Sequence, residues 1–534
     1  MTQMNKRIVS KEYRVYGPPG TGKTTWIADV ATRAAKKYGE DQVSLCSLTN
    51  TAIREVTGRA LPVHADNVST LHARCKRSLS APAPAESRVK EFIKEYPQHS
   101  STGGANPCLP KSLRRGEDTS EILLSGRGIS LYERAQILRQ QMVPTEAWPV
   151  QVKSWYSIWN RWCRSIGAMD FTGWLEATLE AHSLPPQQLV LVDEAQDHTP
   201  LQLAVLRDWD TKSIALVGDD DQNLYEWSGA RPQEFFGEDI PEDREKVLDQ
   251  SFRVPRTIHD LAMRWARRIG NRKDKVYKPR DASGSVSRIN YSISDSKHDR
   301  GLPPGLLQED GTYMILASCS YMLNDLINIL KQERIPFHNQ YRKSNLKWNP
   351  LSGPGAIIED YLAAEDRDIS APWTGVEAQN WSSILKVREV FKSGMQGEFA
   401  DRCGKAGSEF VSQKDLRDCM NESAVNRFLS QDLSALKDFR KKGRTGSWNY
   451  ALDVYSKEGR DVKPRVIVGT IHSVKGGEAD NVILLPDLSP MGYLSYTGSE
   501  ADSVYRLFYV GITRARENLY LCQPDSPQAV AWIT

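Results

Sequence analysis

Between a β-prone run at residues 13–16 and a stretch of helical composition at residues 26–37 lies Gly17-Pro18-Pro19-Gly20-Thr21-Gly22-Lys23-Thr24-Thr25. The spacing Gly17-x4-Gly22-Lys23-Thr24 is that of a P-loop, and it sits where a P-loop must sit, after a strand and before a helix. Glycines let backbone N–H groups approach phosphate oxygens, and the N-terminus of the following helix adds the positive end of its dipole. Lys23 is then placed to neutralise the β- and γ-phosphates, and the Thr24 hydroxyl to hold Mg²⁺.

The rest of the chain repeats the strand-then-turn pattern. Short apolar runs at 43–48, 189–192 and 214–217 end in polar turns, the last two in Asp193-Glu194 and Gly218-Asp219. Further runs follow at 313–317, 466–468, 482–485 and 519–522. Short apolar strands separated by helical patterns predict parallel sheets with helices on their faces. The expected fold class is therefore α/β, in two halves.

Two long stretches interrupt these halves. Residues 78–125 are rich in Ser, Pro and Gly and read as loops rather than core. Trp148, Trp155, Trp159, Trp162 and Trp174 follow in a helical region, where burial in a core outweighs a base-stacking role. The predicted organisation is 1–80 with 185–247, then 248–345 with 464–534, carrying helical insertions at 81–184 and 346–463.

The second half of the phosphate site should be a carboxylate for the metal and a base for water. Leu-Val-Asp193-Glu194-Ala195-Gln196-Asp197 supplies both after an apolar strand, Asp193 for Mg²⁺ and Glu194 for the proton. Lys23 and Asp193 are 170 positions apart (193 − 23), which requires a domain-sized insertion between them.

Composition excludes several classes. Hydrophobic residues at 40% and charged residues at 26% are ordinary for a soluble globular chain. The net charge of +3 gives no global basic field, although one groove can still be locally basic. No apolar run of about 18 residues predicts a membrane span, and the first residues lack the apolar core of a signal peptide. A cytoplasmic protein is expected. The eight cysteines are scattered without a C-x-x-C pair, so free thiols are expected and a zinc site is not.

Six segments together resemble the UvrD/Rep/PcrA group of superfamily 1 DNA helicases. Ser47-Leu48-Thr49-Asn50-Thr51-Ala52 is similar to the family's TFTNKAA, and Ser69-Thr70-Leu71-His72 to its TFH. The segment Gly218 to Ala230 (GDDDQNLYEWSGA) resembles GDDDQSIYxWRGA, and Gln250-Ser251-Phe252-Arg253 resembles QNYR. Thr470 to Glu478 (TIHSVKGGE) resembles TxHxAKGLE, and Arg506 to Ala515 (RLFYVGITRA) resembles RLxYVGITRA. The resemblance implies two RecA-like domains and an ATP- and Mg²⁺-dependent motor. It also implies 3′→5′ movement on single-stranded DNA, with unwinding of duplex at single-strand/duplex junctions.

Roles carried over by this resemblance are specific. Gln222 senses the γ-phosphate; Arg253 and Arg514 are arginine fingers; Phe252 lies against the adenine and Glu478 accepts from the ribose. Tyr225 and Trp227, two residues apart in an extended segment, face the same way and stack bases. Thr49, Asn50, Thr70, His72, Thr470 and His472 contact the strand backbone. A monomer working with replication or repair proteins is expected.

The chain departs from the family pattern in places. Leu48 replaces an aromatic, Ser228 an arginine, and only Gln3 stands in for the adenine-reading glutamine. It resembles a compact variant of phage or mobile-element type. An ATP-switched remodeller, a translocase without productive unwinding, or 5′→3′ movement are the alternative readings. Two basic stretches remain. Residues 267–280 read as a solvated face. Residues 440–444, near Trp448 in the second insertion, suit duplex phosphates.

Overall fold

The computed structural model describes residues 11–47, 61–101, 107–110, 130–237, 239–289, 307, 310–343, 345–365, 367–441 and 445–532. Gln3, Leu48, Thr49, Asn50 and residues 442–444 therefore lie outside the described residues. The chain forms two compact units. The first comprises Met1–Ser292, Leu316–Cys319 and Thr470–Thr534; the second comprises Ile293–Ile315 and Ser320–Gly469.

The first unit is built on a six-stranded sheet of β1 (Glu12–Tyr16), β2 (Val43–Ser47), β3 (Val68–Thr70), β4 (Gln187–Val192), β5 (Thr211–Gly218) and β6 (Glu245–Val247). Their spatial order is β3-β2-β4-β5-β1-β6, with parallel pairing throughout. The register sets Tyr16 beside Gly218, Cys46 beside Val192, and Val192 beside Leu216. The P-loop, Asp193 and Asp219 thus leave the sheet at one edge, the carboxyl ends where open α/β sheets bind ligands.

Both faces of this sheet are covered. Helix Lys23–Tyr38 lays Ile27, Ala31, Ala34 and Ala35 on Val15, Val43, Leu45, Leu191 and Val217. The alanines bring the helix close and so fix the height of Lys23 above the sheet. The opposite face buries Tyr16, Cys46, Val190, Val192 and Leu216 under Leu71, Trp174, Leu201 and Leu206.

Between β3 and β4 the chain is helical, with Leu71–Ser78, Val89–Glu95, Leu131–Gln140, Val150–Ser165 and Phe171–Ala181. Trp155, Trp159 and Trp162 recur at helical spacing and are buried with Phe92 and Tyr132, so these tryptophans are core. Residues 78–125 correct the loop expectation in part: Ala85, Val89 and Phe92 are buried in that core. Asp170 ties the helices together, capping Gly173 N (2.7 Å) and accepting from Trp159 Nε1 (3.0 Å) and Arg139 Nη1 (2.6 Å).

Two short strands, β7 (Gln250–Pro255) and β8 (Lys278–Arg280), pair in parallel beside the P-loop. The remaining strands are β9 (Ser285–Ile289), β10 (Tyr313–Ala317), β11 (Phe337–His338), β12 (Trp373–Thr374), β13 (Phe410–Val411), β14 (Val466–Thr470), β15 (Ala479–Leu484) and β16 (Ala515–Cys522). All but β12 and β13 belong to a second six-stranded sheet. In the first unit β16 pairs in parallel with both β15 and β9. In the second unit β11 pairs in parallel with β14, while β12 and β13 form an antiparallel ribbon. Two parallel sheets flanked by helices make the fold α/β, with two RecA-like domains.

The second unit's core is mostly helical. Tyr361, Trp373, Trp381 and Phe428 pack at its centre, with Trp373 and Trp381 ring centroids 4.8 Å apart. In the basic stretch 440–444, Arg440 lies over the Trp448 ring and Lys441 Nζ donates to Ser383 O (2.9 Å). All eight cysteines are free thiols. Among the described residues no helix is long and apolar enough to cross a membrane.

Candidate nucleotide site and strand-facing cleft

The P-loop geometry follows from its glycines. Gly22 takes φ +82° as the cap of helix Lys23–Tyr38, and Gly20 takes φ +74°, conformations that other residues adopt only with strain. A Cβ on Gly20 would stand 2.4 Å from Arg253 Cβ, so only glycine lets β7 approach this closely. That approach is held by Phe252 N to Gly20 O (2.8 Å), Ser251 Oγ to Pro19 O (3.0 Å) and Tyr277 OH to Pro19 O (2.9 Å). Gly17 N donates to Gly218 O (2.9 Å), which anchors the loop to the end of β5. Thr21 Oγ1 closes the turn on Pro18 O (2.8 Å), and Lys23 Nζ donates to Gly17 O (2.7 Å). Thr24 is half-buried and Thr25 exposed in the first turn of the helix.

Asp193 and Glu194 emerge from β4 next to this loop. Asp193 N bonds Cys46 O (2.9 Å), and its buried carboxylate accepts from Glu194 N (2.9 Å). Glu194 takes φ +51°, a left-handed conformation that a non-glycine residue holds only where its surroundings over-determine it. Gln196 Nε2 donates to Glu194 Oε2 (2.6 Å). Burial alone would raise the Glu194 carboxyl, but the charges of Lys475, Lys23 and Arg514 outweigh it and hold it at about 2. Glu194 is therefore ionised, the state in which a carboxylate can accept a proton.

The C-terminal motif segments complete the site within the same unit. Arg514, 1% exposed, donates from Nη2 to Gln222 Oε1 (3.2 Å) and from Nη1 to Gly477 O (3.0 Å). Gln222 Nε2 in turn donates to Asp219 Oδ2 (2.7 Å). Arg253 Nε donates to Glu478 Oε2 (2.5 Å), and Arg516 Nη1 reaches the other Glu478 oxygen (3.2 Å). Burial would raise the Glu478 carboxyl; Arg253, Arg516 and Arg514 outweigh it and hold it below the usual range. The Phe252 ring is 71% exposed, with its backbone on the P-loop.

A cleft of about 820 Å³ opens in the same unit, lined by Asn223, Leu224, Trp227, His472, Met491 and Leu507 among others. Tyr225 and Trp227 are not in an extended segment: Glu226–Ser228 forms one turn of 3₁₀ helix closed by Gly229 at φ +101°. The turn nonetheless sets the two rings side by side, with centroids 5.9 Å apart. Thr70 spends its hydroxyl capping helix Leu71–Ser78 at Ala73 N (3.3 Å), and Thr470 Oγ1 accepts from Ser473 N (3.2 Å). His72 packs edge-on to Phe171, and burial pushes its imidazole down to about 4, so it is neutral.

Residues 2–228 match the family described as AAA domain, and residues 416–525 match the UvrD-like helicase C-terminal domain. The chain is also similar to the ATP-dependent DNA helicase PcrA of Staphylococcus aureus (strain MRSA252). The two are 22% identical over 600 aligned positions, spanning 95% of this chain and 80% of that protein. The PcrA of Staphylococcus epidermidis (strain ATCC 12228) is 25% identical over 612 positions, spanning 94% of this chain and 80% of its own. Together the two family models and these relatives support a UvrD/Rep/PcrA-like superfamily 1 helicase.

Two features of the chain were not assigned from sequence. Lys475, read only as part of TIHSVKGGE, is buried with its Nζ on Asp197 Oδ2, 2.9 Å from Gln222 O and 3.7 Å from Glu194 Oε2. Burial would lower its pKa, but Asp197 and Glu194 outweigh burial and raise it. The second feature corrects the reading of residues 267–280 as a solvated face. Lys275, with 1% of its side chain exposed, lies 3.0, 2.6 and 2.9 Å from carboxylate oxygens of Asp219, Asp220 and Asp221. Arg272 holds Asp221 through two bonds (2.9 and 2.6 Å), and Lys273 pairs with Glu245. The strap also meets helix Ala501–Ile512, where Arg506 donates to Asn271 O as well as to Asp220 O (3.0 Å) and Glu226 (2.6 Å).

Proposed function

We propose that this protein is an ATP-driven DNA helicase that moves 3′→5′ along single-stranded DNA and opens duplex at the junction it meets. The observation that carries the reading is the meeting of Arg253 and Arg514 with the P-loop, Glu194 and Gln222. Groups that bind phosphate, accept a proton and neutralise developing charge are gathered in one place.

In this reading the backbone of Gly17–Thr25 (with Pro18, Pro19, Gly20, Thr21 and Gly22) cradles the phosphates, and Lys23 leaves Gly17 O to neutralise them. Glu194, ionised, accepts the proton of the attacking water, and Gln222 orients that water. Arg253 and Arg514 stabilise charge on the phosphoryl oxygens, a contribution of roughly 10³–10⁵ in rate for known arginine fingers. Phe252 offers its exposed face to the adenine, and Glu478 takes the ribose. Thr24 and Asp193 supply one hydroxyl and one carboxylate, which fits a Mg²⁺ that keeps most of its shell as water and nucleotide oxygens. Such an ion, when bound, supplies charge neutralisation at the phosphates. Among the described residues no cluster of three or more His, Cys, Asp or Glu could form a dedicated metal cage.

The strand lies in the cleft, with bases on Tyr225 and Trp227 at roughly 1–3 kcal/mol each and no sequence preference. His472, Thr470, Thr70 and His72 border its path in this reading; Thr49 and Asn50, the other two expected backbone contacts, lie outside the described residues. Opening each base-pair step costs about 1.4 kcal/mol of stacking, within reach of one nucleotide-driven step. Residues 81–184 and 346–463 are accessory insertions on two motor domains, 1–80 with 185–247 and 248–345 with 464–534. The test is steady-state ATPase with and without an oligo-dT strand. Turnover should rise with the strand, and Lys23→Ala and Glu194→Gln should each abolish it while leaving strand binding. Undiminished turnover in either variant would remove the site assignment.

A further inference from the structure

We propose that Lys475 is a positioning residue through which a base held at Tyr225 acts on Glu194 and Gln222. This rests on the reading of Tyr225 and Trp227 as the strand-holding rings. Lys475 sits at the end of the His472–Val474 turn, so its backbone belongs to the segment whose His472 lines the cleft. Its side chain points the other way, into the nucleotide site, and only 10% of it is exposed.

An ammonium has three protons and no acceptor. Two of them are committed, one to Asp197 Oδ2 and one to Gln222 O at 2.9 Å. The third lies between two weaker partners, Glu194 Oε2 at 3.7 Å and the Tyr225 ring, whose centroid is 5.5 Å from Nζ. A separation of 3.7 Å is too long for a hydrogen bond, and 5.5 Å is within the range of a cation–π contact. The cation is thus shared between a strand-facing ring and the proton acceptor.

The backbone around it transmits the same movement. Tyr225 N donates to Asn223 Oδ1 (3.0 Å), Asn223 Nδ2 donates to Gln196 O, and Leu224 N donates to Asp197 Oδ1 (3.4 Å). A base that shifts Tyr225 therefore shifts Asp197 and the Gln222 carbonyl, the two fixed partners of Lys475. The ammonium then changes its distance to Glu194, which already holds a strained backbone. Strand occupancy is read in the nucleotide site without any strand atom entering it.

The test uses the full chain with Lys475→Gln and Lys475→Arg. ATPase at saturating ATP is measured with and without oligo-dT, alongside strand affinity by fluorescence anisotropy and nucleotide affinity with a fluorescent ATP analogue. Coupling free energies between sites correspond to roughly 5–150-fold effects, so Lys475→Gln should cut the ratio of stimulated to basal turnover by a factor in that range. Both affinities should stay within about threefold of the unmodified protein, well below the coupling effect. Lys475→Arg, which keeps the charge, should restore most of the ratio. An unchanged ratio with both activities lowered equally would overturn the inference, because Lys475 would then serve the nucleotide site alone. A fall in strand affinity as large as the fall in ratio would overturn it too, by making Lys475 a strand contact. If the unmodified protein binds no strand and shows no stimulation, the strand reading itself fails and this inference fails with it.

Discussion

Lys275→Met should be among the most damaging single changes outside the nucleotide site. The Lys275 side chain is 1% exposed, and the three aspartates it faces are fully buried, at 2.6–3.0 Å. At an effective dielectric of about 20, one such pair at 3 Å is worth about 5 kcal/mol of attraction. Three pairs cannot add, because the carboxylates repel one another and all four groups were desolvated. Breaking a buried pair by removing one partner costs roughly 3–5 kcal/mol, since the other charge is left behind. For a unit of well over 250 residues each kcal/mol moves the melting midpoint by about 1–2 °C, so a fall of roughly 3–10 °C is expected.

Lys278→Met supplies the control. Its partner is Asp249 and its side chain is 58% exposed, so solvent screens the pair and its loss should leave the midpoint nearly unchanged. The loss in Lys275→Met should also depend on pH. Burial already pushes the Asp220 carboxyl up to about 6 against the charge of Lys275. Without the lysine the Asp220 carboxyl stays protonated in the folded state to still higher pH, so the variant regains stability as pH falls. Thermal unfolding followed by circular dichroism at pH 5 and pH 8 gives both readings. A midpoint within about 2 °C of the unmodified protein at pH 8 would refute the argument.

Three further outcomes are expected. Arg514→Ala should lower turnover by roughly 10³–10⁵ with little change in nucleotide affinity, and a pure affinity loss would contradict the finger role. Trp227→Ala should weaken strand-stimulated ATPase more than basal ATPase, through a stacking loss of about 1–3 kcal/mol; equal losses would place the ring in the core. Glu86, buried against Tyr132 OH (2.6 Å), has its carboxyl raised by burial and by Asp170 to about 7. A carboxyl raised in the folded state favours folding when protonated, so stability should fall by roughly 3 kcal/mol between pH 4.5 and 7 and level off above. Glu86→Gln should flatten that slope, as seen in unfolding midpoints across the range, and an unaltered slope would exclude Glu86 as its source.

Local chemistry made the nucleotide half of the site legible. A P-loop is contiguous, its glycines answer local steric needs, and the strands that present it are apolar runs ending in polar turns. The order of strands in the sheets was not legible, because no single run records its neighbours. The strap at 270–277 was misread for a similar reason. Its lysines and arginine look like any solvated charge run, and the aspartates that bury them lie about 50 positions upstream. The helix Val89–Glu95 was hidden by the Ser/Pro/Gly-rich sequence around it, although Val89, Phe92 and Ile93 already have helical spacing. Tyr225 and Trp227 lie side by side by way of a turn rather than an extended strand. Lys475 lay inside a family motif, yet its partners come from two distant segments, 194–197 and 222–225.

The most direct test of the account is strand displacement with ATP on two duplexes, one bearing a 3′ single-stranded tail and the other a 5′ tail. Opening of the 3′-tailed duplex alone is the predicted result. Opening only from the 5′ tail would reverse the direction of the motor, and opening of neither, with strand-stimulated ATPase intact, would contradict unwinding and leave a translocase or remodeller.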